Sequence, residues 1–500
     1  NSGIRQMNHR GQPAFFSFVA AITALSGLLL PGSAAIADEF QFVTETGETR
    51  TVEGGLYATG QGALAVQLSD GSLEIIPEAA VRRRVPDAAP TPVTPDEMLE
   101  RLTEEFGEEV FRGTVEGPYV IGVVLTAPLP KTSERLVLGN LRRSARYMKS
   151  IEVMFSRFCS SMRVQAGKPE FPLVVLIFET DDDFEEYTAK ATGGRGLSAG
   201  NIAGFYSPIT NYLYVRMSEC YSFSTPLHEA IHQQCFNTGV LHRLSPVPTW
   251  FGEGIATGFE GSGDKVKSDP QKLNADYAKV LQRVGRLPDG MSWDQIVETD
   301  QVFRGDIFAG EAYLHAWSLH WLLVSNYRRE YGEFLSHLST LEPLAPEEPD
   351  KRIAKFKEVF GKSPDEVQAE FPAAFESALR RQRLPEDPNQ RPGLMSRQTN
   401  LAGVDMYVEA RGPVMQIEGQ LRNLSPFREM AYLVTLTTGA GTSQNWYLPS
   451  LKSNALITLE TRTLPSLGAR TFGVEVQSTP ADSEENERWG RGEFSVRRRR

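Results

Sequence analysis

Residues 224–260 read STPLHEAIHQQCFNTGVLHRLSPVPTWFGEGIATGFE, and the fold predicted for the central part of the chain depends on the motifs in this stretch. It contains the pattern HExxH, in which His228 and His232 are four residues apart and Glu229 follows the first histidine. Residues four apart lie on one face of a helix, so both imidazoles can bind one metal ion while the carboxylate activates a water molecule beside it. Thr225, which precedes a proline, is the expected N-cap of this helix.

A catalytic zinc site usually has three protein ligands, so a third ligand is needed. The candidate is Glu253, in the segment WFGEGIA that begins at Trp250. Glycine and proline in residues 239–248 predict a turn and loop, after which a second helix starting near Thr249 can return Glu253 to the first helix. His242 lies in the loop and is the alternative third ligand, although no motif surrounds it.

The pair HEAIH and WFGEGIA resembles the gluzincin zinc metallopeptidases, and within them the peptidase MA-like group, whose third ligand is the glutamate of a W-x-x-E-G-x-A segment. The resemblance covers the central part of the chain only. It implies a thermolysin-like, mostly helical domain with a small mixed sheet, and a zinc ion bound by His228, His232 and Glu253. It also implies hydrolysis of peptide bonds, with Glu229 as the general base.

The same resemblance suggests further site residues. In this group a tyrosine or histidine after the third ligand often donates a hydrogen bond to the developing oxyanion. Tyr313 is the candidate, because AYLHAW resembles the family's Y-x-x-x-W helix, and His315 is the second choice. Glu260 could hydrogen-bond a ligand histidine, although a solvent-exposed glutamate is the favoured interpretation.

Two short strands are expected just before the HExxH helix, at residues 204–206 and 212–215. In the resembling peptidases the strand immediately before this helix is a sheet edge that pairs with an extended substrate. An edge strand offers unpaired N–H and C=O groups, which gives this role a physical basis. An ordinary hairpin is the alternative.

The flanking regions predict a chain of several domains and an α+β fold class. Residues 1–37 resemble a signal peptide, with a basic start, an apolar run and an A-x-A site, so the chain is expected to be exported without stable membrane insertion; an uncleaved anchor is the alternative. Residues 38–86 predict a small SH3-like β module and 87–95 a linker. Residues 96–385 form the gluzincin-like domain, and 396–497, with period-two alternation, predict an immunoglobulin-like β-sandwich.

Two smaller patterns inside the predicted catalytic domain carry structural expectations. Residues 133–162 have apolar side chains at helical spacing, including Leu138 and Leu141, which predicts a long helix with one packed face. The acidic run beginning at Asp181 favours a helix N-cap over a calcium site. Among the three cysteines, Cys220 and Cys235 flank the HExxH segment closely enough to be a candidate disulfide pair.

The net charge of −11 argues against a nucleic-acid-binding protein, which would show a basic face. The charge says little about the substrate; the resemblance to metallopeptidases implies that the partner is a peptide or protein substrate. The alternative from another functional class is a surface-binding or scaffold protein that keeps a zinc site for stability. The two differ in their need for Glu229, since a structural site gains nothing from a carboxylate beside the metal.

Overall fold

The computed structural model has a mixed α+β fold. It describes residues 38–85, 90–191, 203–221, 223–260, 270–303, 309–382, 384, 394–439, 441–465 and 471–493. The predicted signal peptide at 1–37 lies outside these residues. None of the helices within the described ranges has both the length and the apolar character needed to cross a lipid bilayer.

The region before the linker is a single five-stranded antiparallel sheet. Its strands are β1 (Asp38–Val43), β2 (Thr49–Gly60), β3 (Ala63–Gln67), β4 (Leu73–Pro77) and β5 (Val81–Val85), in the spatial order β4-β3-β2-β1-β5. Alternation of apolar side chains along β1 buries Phe40 and Phe42 in a small core. The strands thus follow the predicted period-two pattern, and the SH3-like assignment stays a prediction.

The central region, residues 95–382, contains one mixed sheet. Its strands are β6 (Phe111–Glu116), β7 (Tyr119–Val124), β8 (Leu173–Phe178), β9 (Gly204–Tyr206) and β10 (Tyr212–Arg216), in the spatial order β6-β7-β8-β10-β9. Strand β8 runs parallel to β7 and β10, while the two outer pairs are antiparallel. The continuous apolar sequences of β7 and β8 are wholly buried, as expected for strands covered on both faces.

The position of the sheet edge differs from the prediction. Strand β10, which comes immediately before the HExxH helix, lies inside the sheet between β8 and β9. The edge is β9, one strand earlier in the sequence. Its hairpin partner β10 continues into the parallel pairing with β8, and this long-range contact cannot be read from local alternation.

The central region also contains α-helices. They are α1 (Pro95–Phe106), α2 (Glu134–Ser161), α3 (Asp181–Ala191), α4 (Ser224–Asn237), α5 (Thr249–Phe259), α6 (Ala275–Val284), α7 (Trp293–Glu298), α8 (Ala309–Asn326), α9 (Arg328–Leu338), α10 (Pro349–Phe360), α11 (Pro364–Gln368) and α12 (Phe371–Arg381). The long helix expected at 133–162 is confirmed as α2. Leu138 was wrongly placed on its packed face: Val137 is buried there, and Leu138 is 40% exposed.

The HExxH helix α4 begins two residues earlier than predicted, at Ser224, and is not capped by Thr225. Its N-cap is Phe223, in the left-handed region at φ 56°, without a side-chain cap. The Phe223 ring packs 4.6 Å from the ring of Tyr147, whose hydroxyl donates to the Phe223 carbonyl oxygen at 2.9 Å. A tertiary contact with α2 therefore fixes the start of the helix, where the sequence suggested a local cap.

Helix α5 packs closely against α8 because it carries two glycines at the contact. A Cβ atom on Gly254 would lie 2.8 Å from Cβ of His320 and 2.9 Å from the carbonyl oxygen of Ala316. On Gly258 it would lie 3.1 Å from the His320 ring. Glycine weakens an isolated helix but lets two helix backbones approach. The two glycines in WFGEGIATGF thus lower the intrinsic helix propensity of α5 but allow this helix to pack tightly on α8.

The C-terminal region contains two antiparallel sheets that share one core. The first has four strands in the order β11 (Leu394–Thr399), β12 (Ala402–Arg411), β13 (Val414–Asn423) and β16 (Leu456–Pro465); the second has β15 (Ser443–Leu451), β14 (Met430–Thr438) and β17 (Phe472–Pro480). Period-two strands are thus present as expected. The last part is a helix, α13 (Glu484–Gly490), capped by Ser483, where strands were expected. The immunoglobulin-like assignment stays a prediction.

Both flanking β regions are attached to the central region by arginines. Arg243 donates to the carbonyl oxygen of Gly71, at 2.7 Å, and to that of Pro208, at 3.1 Å. Arg428, before β14, lies 2.5 Å from a carboxylate oxygen of Glu179, and both side chains are almost completely buried. These contacts join segments that are far apart in the sequence.

The acidic run after β8 has a different role from the one predicted. Asp181 is the first residue of α3, and the cap is the preceding Thr180, whose hydroxyl accepts from the Asp183 N–H at 3.2 Å. Asp181 instead forms a buried ion pair with Arg216 at 3.0 Å and accepts from the N–H of Asn400 at 3.0 Å. It therefore connects the sheet to the C-terminal region.

The three cysteines are all free thiols. The candidate disulfide between Cys220 and Cys235 is not formed, and the Cys220 thiol donates to the Arg216 carbonyl oxygen at 3.7 Å. Cys235 is buried on α4, where burial raises the pKa of its thiol well above the ordinary value. Its side chain is part of the core.

Candidate metal centre

Three side chains from two helices meet at one buried point. His228 and His232 extend from successive turns of α4, and Glu253 extends from α5. The Nε2 atoms of the histidines are 3.1 Å apart, and Oε2 of Glu253 lies 3.1 Å from Nε2 of His228 and 3.7 Å from that of His232. Among the described residues, this is the group of histidine, cysteine and acidic side chains arranged to hold a metal ion.

The donor set and its spacing fit a zinc ion. Zinc binds imidazole nitrogen and carboxylate oxygen at roughly 2.0–2.2 Å, and in a tetrahedral arrangement neighbouring ligand atoms are then about 3.3 Å apart. The three measured separations of 3.1, 3.1 and 3.7 Å lie on either side of that value. Two histidines and one glutamate also form the ligand set of a catalytic zinc site that keeps a fourth position for water or substrate.

Glu260 is not the solvent-exposed residue that the sequence favoured. It lies just after the end of α5, and Oε1 is 2.6 Å from Nδ1 of His228. Asn274 donates to the other oxygen at 3.5 Å and to the Thr257 carbonyl oxygen at 3.1 Å. The Nδ1–H of His228 therefore points to a carboxylate, which leaves Nε2 as the atom that can bind a metal ion.

We expect Glu260→Ala to weaken zinc binding by roughly 10- to 100-fold, because an unsupported His228 loses both its fixed tautomer and its orientation. The measurement is a competitive zinc titration with a chromogenic chelator. Glu260→Gln, which keeps an acceptor but removes the charge, should fall between the variant and the parent. Glu298→Ala on the exposed end of α7 is the charge-matched control. Equal zinc affinity in Glu260→Ala and the control would exclude the positioning role.

Glu229 is buried beside the three candidate ligands and is oriented by the edge strand. Its Oε2 accepts a hydrogen bond from the backbone N–H of Tyr206, in β9, at 2.9 Å. This N–H points away from the hairpin partner β10, so the side of β9 that has no strand partner among the described residues faces the site. The carboxylate is thus held next to the metal position without being one of the three grouped ligands.

The charges in the site strongly favour a cation. Burial alone would lower the pKa of His228, but hydrogen bonds to Glu253 and Glu260 raise it well above the ordinary value. Burial opposes ionisation of Glu253, yet His232 and His228 lower its pKa to about 2. Burial raises the pKa of Glu229, and the two histidines oppose that shift. The field that favours a proton on the imidazoles equally favours a metal cation between them.

The structure places the two oxyanion candidates on different sides of α8. Tyr313 is buried, and burial together with the nearby carboxylates of Glu253 and Glu229 raises its pKa well above the ordinary value, so its phenol stays protonated. His315 accepts at Nδ1 from the Trp293 indole N–H at 3.2 Å, and burial lowers its pKa to about 4. Residues two apart on a helix do not share a face, so His315 belongs to the contact with α7.

The alternative third ligand, His242, does not join the site. It remains in the loop, where its carbonyl oxygen accepts from the Ser245 hydroxyl at 2.6 Å. Glu253, and not His242, is grouped with the two histidines. The helix that starts at Thr249 returns the glutamate to α4, as the sequence predicted.

Sequence reasoning missed a second tyrosine, Tyr277 on α6. Its ring stacks 5.4 Å from the ring of Trp317. Burial, and then the charges of Glu260 and Glu253, raise its pKa well above the ordinary value. The only local signal in this part of the chain is the N-cap Asn274, which predicts the start of a helix but does not show which face meets the site.

The segment that carries the three candidate ligands matches a family model. Residues 222–345, about a quarter of the chain, match the model of a family described as "Protein of unknown function (DUF1570)". No curated protein matches the chain. Among solved structures, the chain is similar to the ZmpB metallopeptidase from Clostridium perfringens, with 9% identity over 89% of this chain and 88% of that one, and a TM-score of 0.29.

Proposed function

We propose that this chain is an exported zinc-dependent metallopeptidase, in which His228, His232 and Glu253 hold the metal ion and Glu229 is the general base. The proposal is carried by the position of Glu229. A zinc site that serves only stability closes its coordination sphere and has no use for an additional buried carboxylate beside it. Here that carboxylate is completely buried and oriented by a backbone N–H, although burial of a charged group is costly.

When bound, zinc would supply a Lewis acid that polarises an amide carbonyl and acidifies water. Glu229 is placed to accept a proton from the attacking water and to transfer it to the leaving amine nitrogen. The Tyr206 N–H holds one carboxylate oxygen, which orients the other for proton transfer. Tyr313, with its protonated phenol, is the proposed donor to the developing oxyanion.

The edge strand supports a peptide as the substrate. Within the described ranges, β10 is the strand that pairs with β9, and the Tyr206 N–H on the opposite side of β9 contacts Glu229. An extended peptide that pairs with this edge would pass directly beside the general base. A peptide bond would thus be brought to the proton acceptor by main-chain hydrogen bonds, which are largely independent of the substrate's side chains.

The proposal is tested first by metal content. We expect the purified chain to bind one zinc ion, and Glu253→Ala to lower zinc occupancy strongly because only two ligands remain. Atomic emission measures the metal, and a mixed peptide library measures hydrolysis, with Glu298→Ala as the control. Zinc binding without cleavage would favour the scaffold alternative, whereas unchanged occupancy in Glu253→Ala would exclude this residue as a ligand.

A further inference from the structure

Five exposed cations of α2 lie along one side of the helix, and we call them the basic stripe: Arg135, Arg142, Arg146, Lys149 and Arg157. At 100° per residue these side chains fall within an arc of about 80°, and at 1.5 Å per residue they extend over about 33 Å of the helix. Arg143 is also exposed on α2 and lies beside the stripe. A chain of net charge −11 therefore presents a long, narrow and locally positive surface.

Most of this positive charge has no counter-charge nearby. Helix α2 contains two acidic residues: Glu134 is engaged by Arg112 at 2.7 Å, and Glu152 pairs with Lys149 at 2.9 Å. Within the described ranges, the four arginines of the stripe form no ion pair. Like charges three and four residues apart repel each other along a helix. An anionic surface would relieve this repulsion.

Apolar side chains lie among the cations. Val153, 42% exposed, lies on the same arc, and Leu138, 40% exposed, and Leu136, 51% exposed, lie on either side of it. These are among the most exposed large hydrophobic residues of the described structure. Cations and neighbouring exposed aliphatic side chains together offer a lipid interface both an electrostatic and an apolar contact, the two terms on which peripheral membrane binding depends.

We propose that this face of α2 attaches the protein peripherally to the surface of an anionic phospholipid bilayer. The cations would contact lipid phosphates while the aliphatic side chains enter the headgroup region. A convex helix face fits a flat surface of high charge density better than it fits a single peptide, which requires a groove. The phosphates of a nucleic acid could pair with the cations, but a nucleic acid would leave the aliphatic side chains without an apolar contact.

The test is sedimentation of the full chain with vesicles of phosphatidylcholine alone or mixed with phosphatidylglycerol. We expect binding to the mixed vesicles only, weakened when salt is raised because the contact is exposed and therefore screened. The triple variant Arg135→Gln, Arg142→Gln and Arg146→Gln should lower the partition coefficient by about 100-fold, since each cation near the surface contributes roughly fivefold. Leu138→Ser should reduce binding by about tenfold without a change in charge.

The matched control is Arg286→Gln, Arg329→Gln and Arg380→Gln, which removes three exposed arginines from other helices and loops. It should bind the mixed vesicles like the parent. The proposal is overturned if the parent does not bind them at low salt, or if the stripe variant and the control bind equally. Binding of DNA or an acidic polypeptide through the stripe, without vesicle binding, would also overturn it.

Discussion

Glu229→Gln is expected to abolish peptide hydrolysis while leaving zinc bound. Glutamine keeps the volume of the side chain and an oxygen that can accept the Tyr206 N–H, but it cannot take up a proton at neutral pH. General acid–base groups contribute roughly 10²- to 10⁴-fold to the rate, and Glu229 would act in both proton transfers. We therefore expect kcat to fall by about 10³-fold or more.

The measurement combines zinc content with the rate of cleavage of the best substrate in the peptide library. Glu298→Gln removes one carboxylate on the exposed end of α7 and should leave both quantities unchanged. If Glu229→Gln cleaves as fast as the parent, Glu229 is not the base. If it loses zinc together with activity, Glu229 supports the metal site instead of the chemistry.

Arg428→Met is expected to destabilise the fold by about 3–5 kcal/mol, because it leaves the Glu179 carboxylate buried without a cation. Arg428 is 6% and Glu179 is 0% exposed, and the arginine also donates to the carbonyl oxygens of Ala127 and Pro128. Burial raises the pKa of Glu179, and Arg428 opposes that shift. The loss should appear as a lower urea midpoint of unfolding.

Two comparisons make this prediction specific. Arg411→Met removes an exposed ion pair with Glu409 and should change the free energy of unfolding by less than about 1 kcal/mol. The double variant Arg428→Met and Glu179→Leu should recover much of the loss, since no unpaired charge remains. Burial favours protonated Glu179, so the Arg428→Met defect should shrink as the pH falls from 8 to about 5. An equal midpoint in Arg428→Met and the parent would contradict the structural role.

The elements of the candidate site were predictable because their signals are local. The HExxH spacing places two imidazoles on one helix face, and the glycine and proline loop before Thr249 places Glu253 on a second helix. The buried strand β8 follows from its continuous apolar run. Each of these inferences needs only neighbouring residues and the periodicity of one element.

Other features depend on contacts between distant segments. The left-handed Phe223 at the start of α4 is held by Tyr147, and the contact of Glu260 with His228 depends on how the chain leaves α5. The internal position of β10 follows from its pairing with β8. The net charge of the chain gives no information about how charge is distributed. A total of −11 is compatible with a positively charged face on α2.

The ion pair between Glu179 and Arg428 also sets an order of events during synthesis. The two residues are 249 positions apart, and the glutamate is made first. At roughly 5–20 residues per second the ribosome needs on the order of ten seconds or more to supply the arginine. Until then the Glu179 carboxylate at the end of β8 has no cation with which to form its buried ion pair. Burial of this end of the sheet is therefore unfavourable. Completion of the C-terminal sheets is thus a condition for the final packing at this end of the central sheet, so a nascent chain would reach its complete native fold only late in its production.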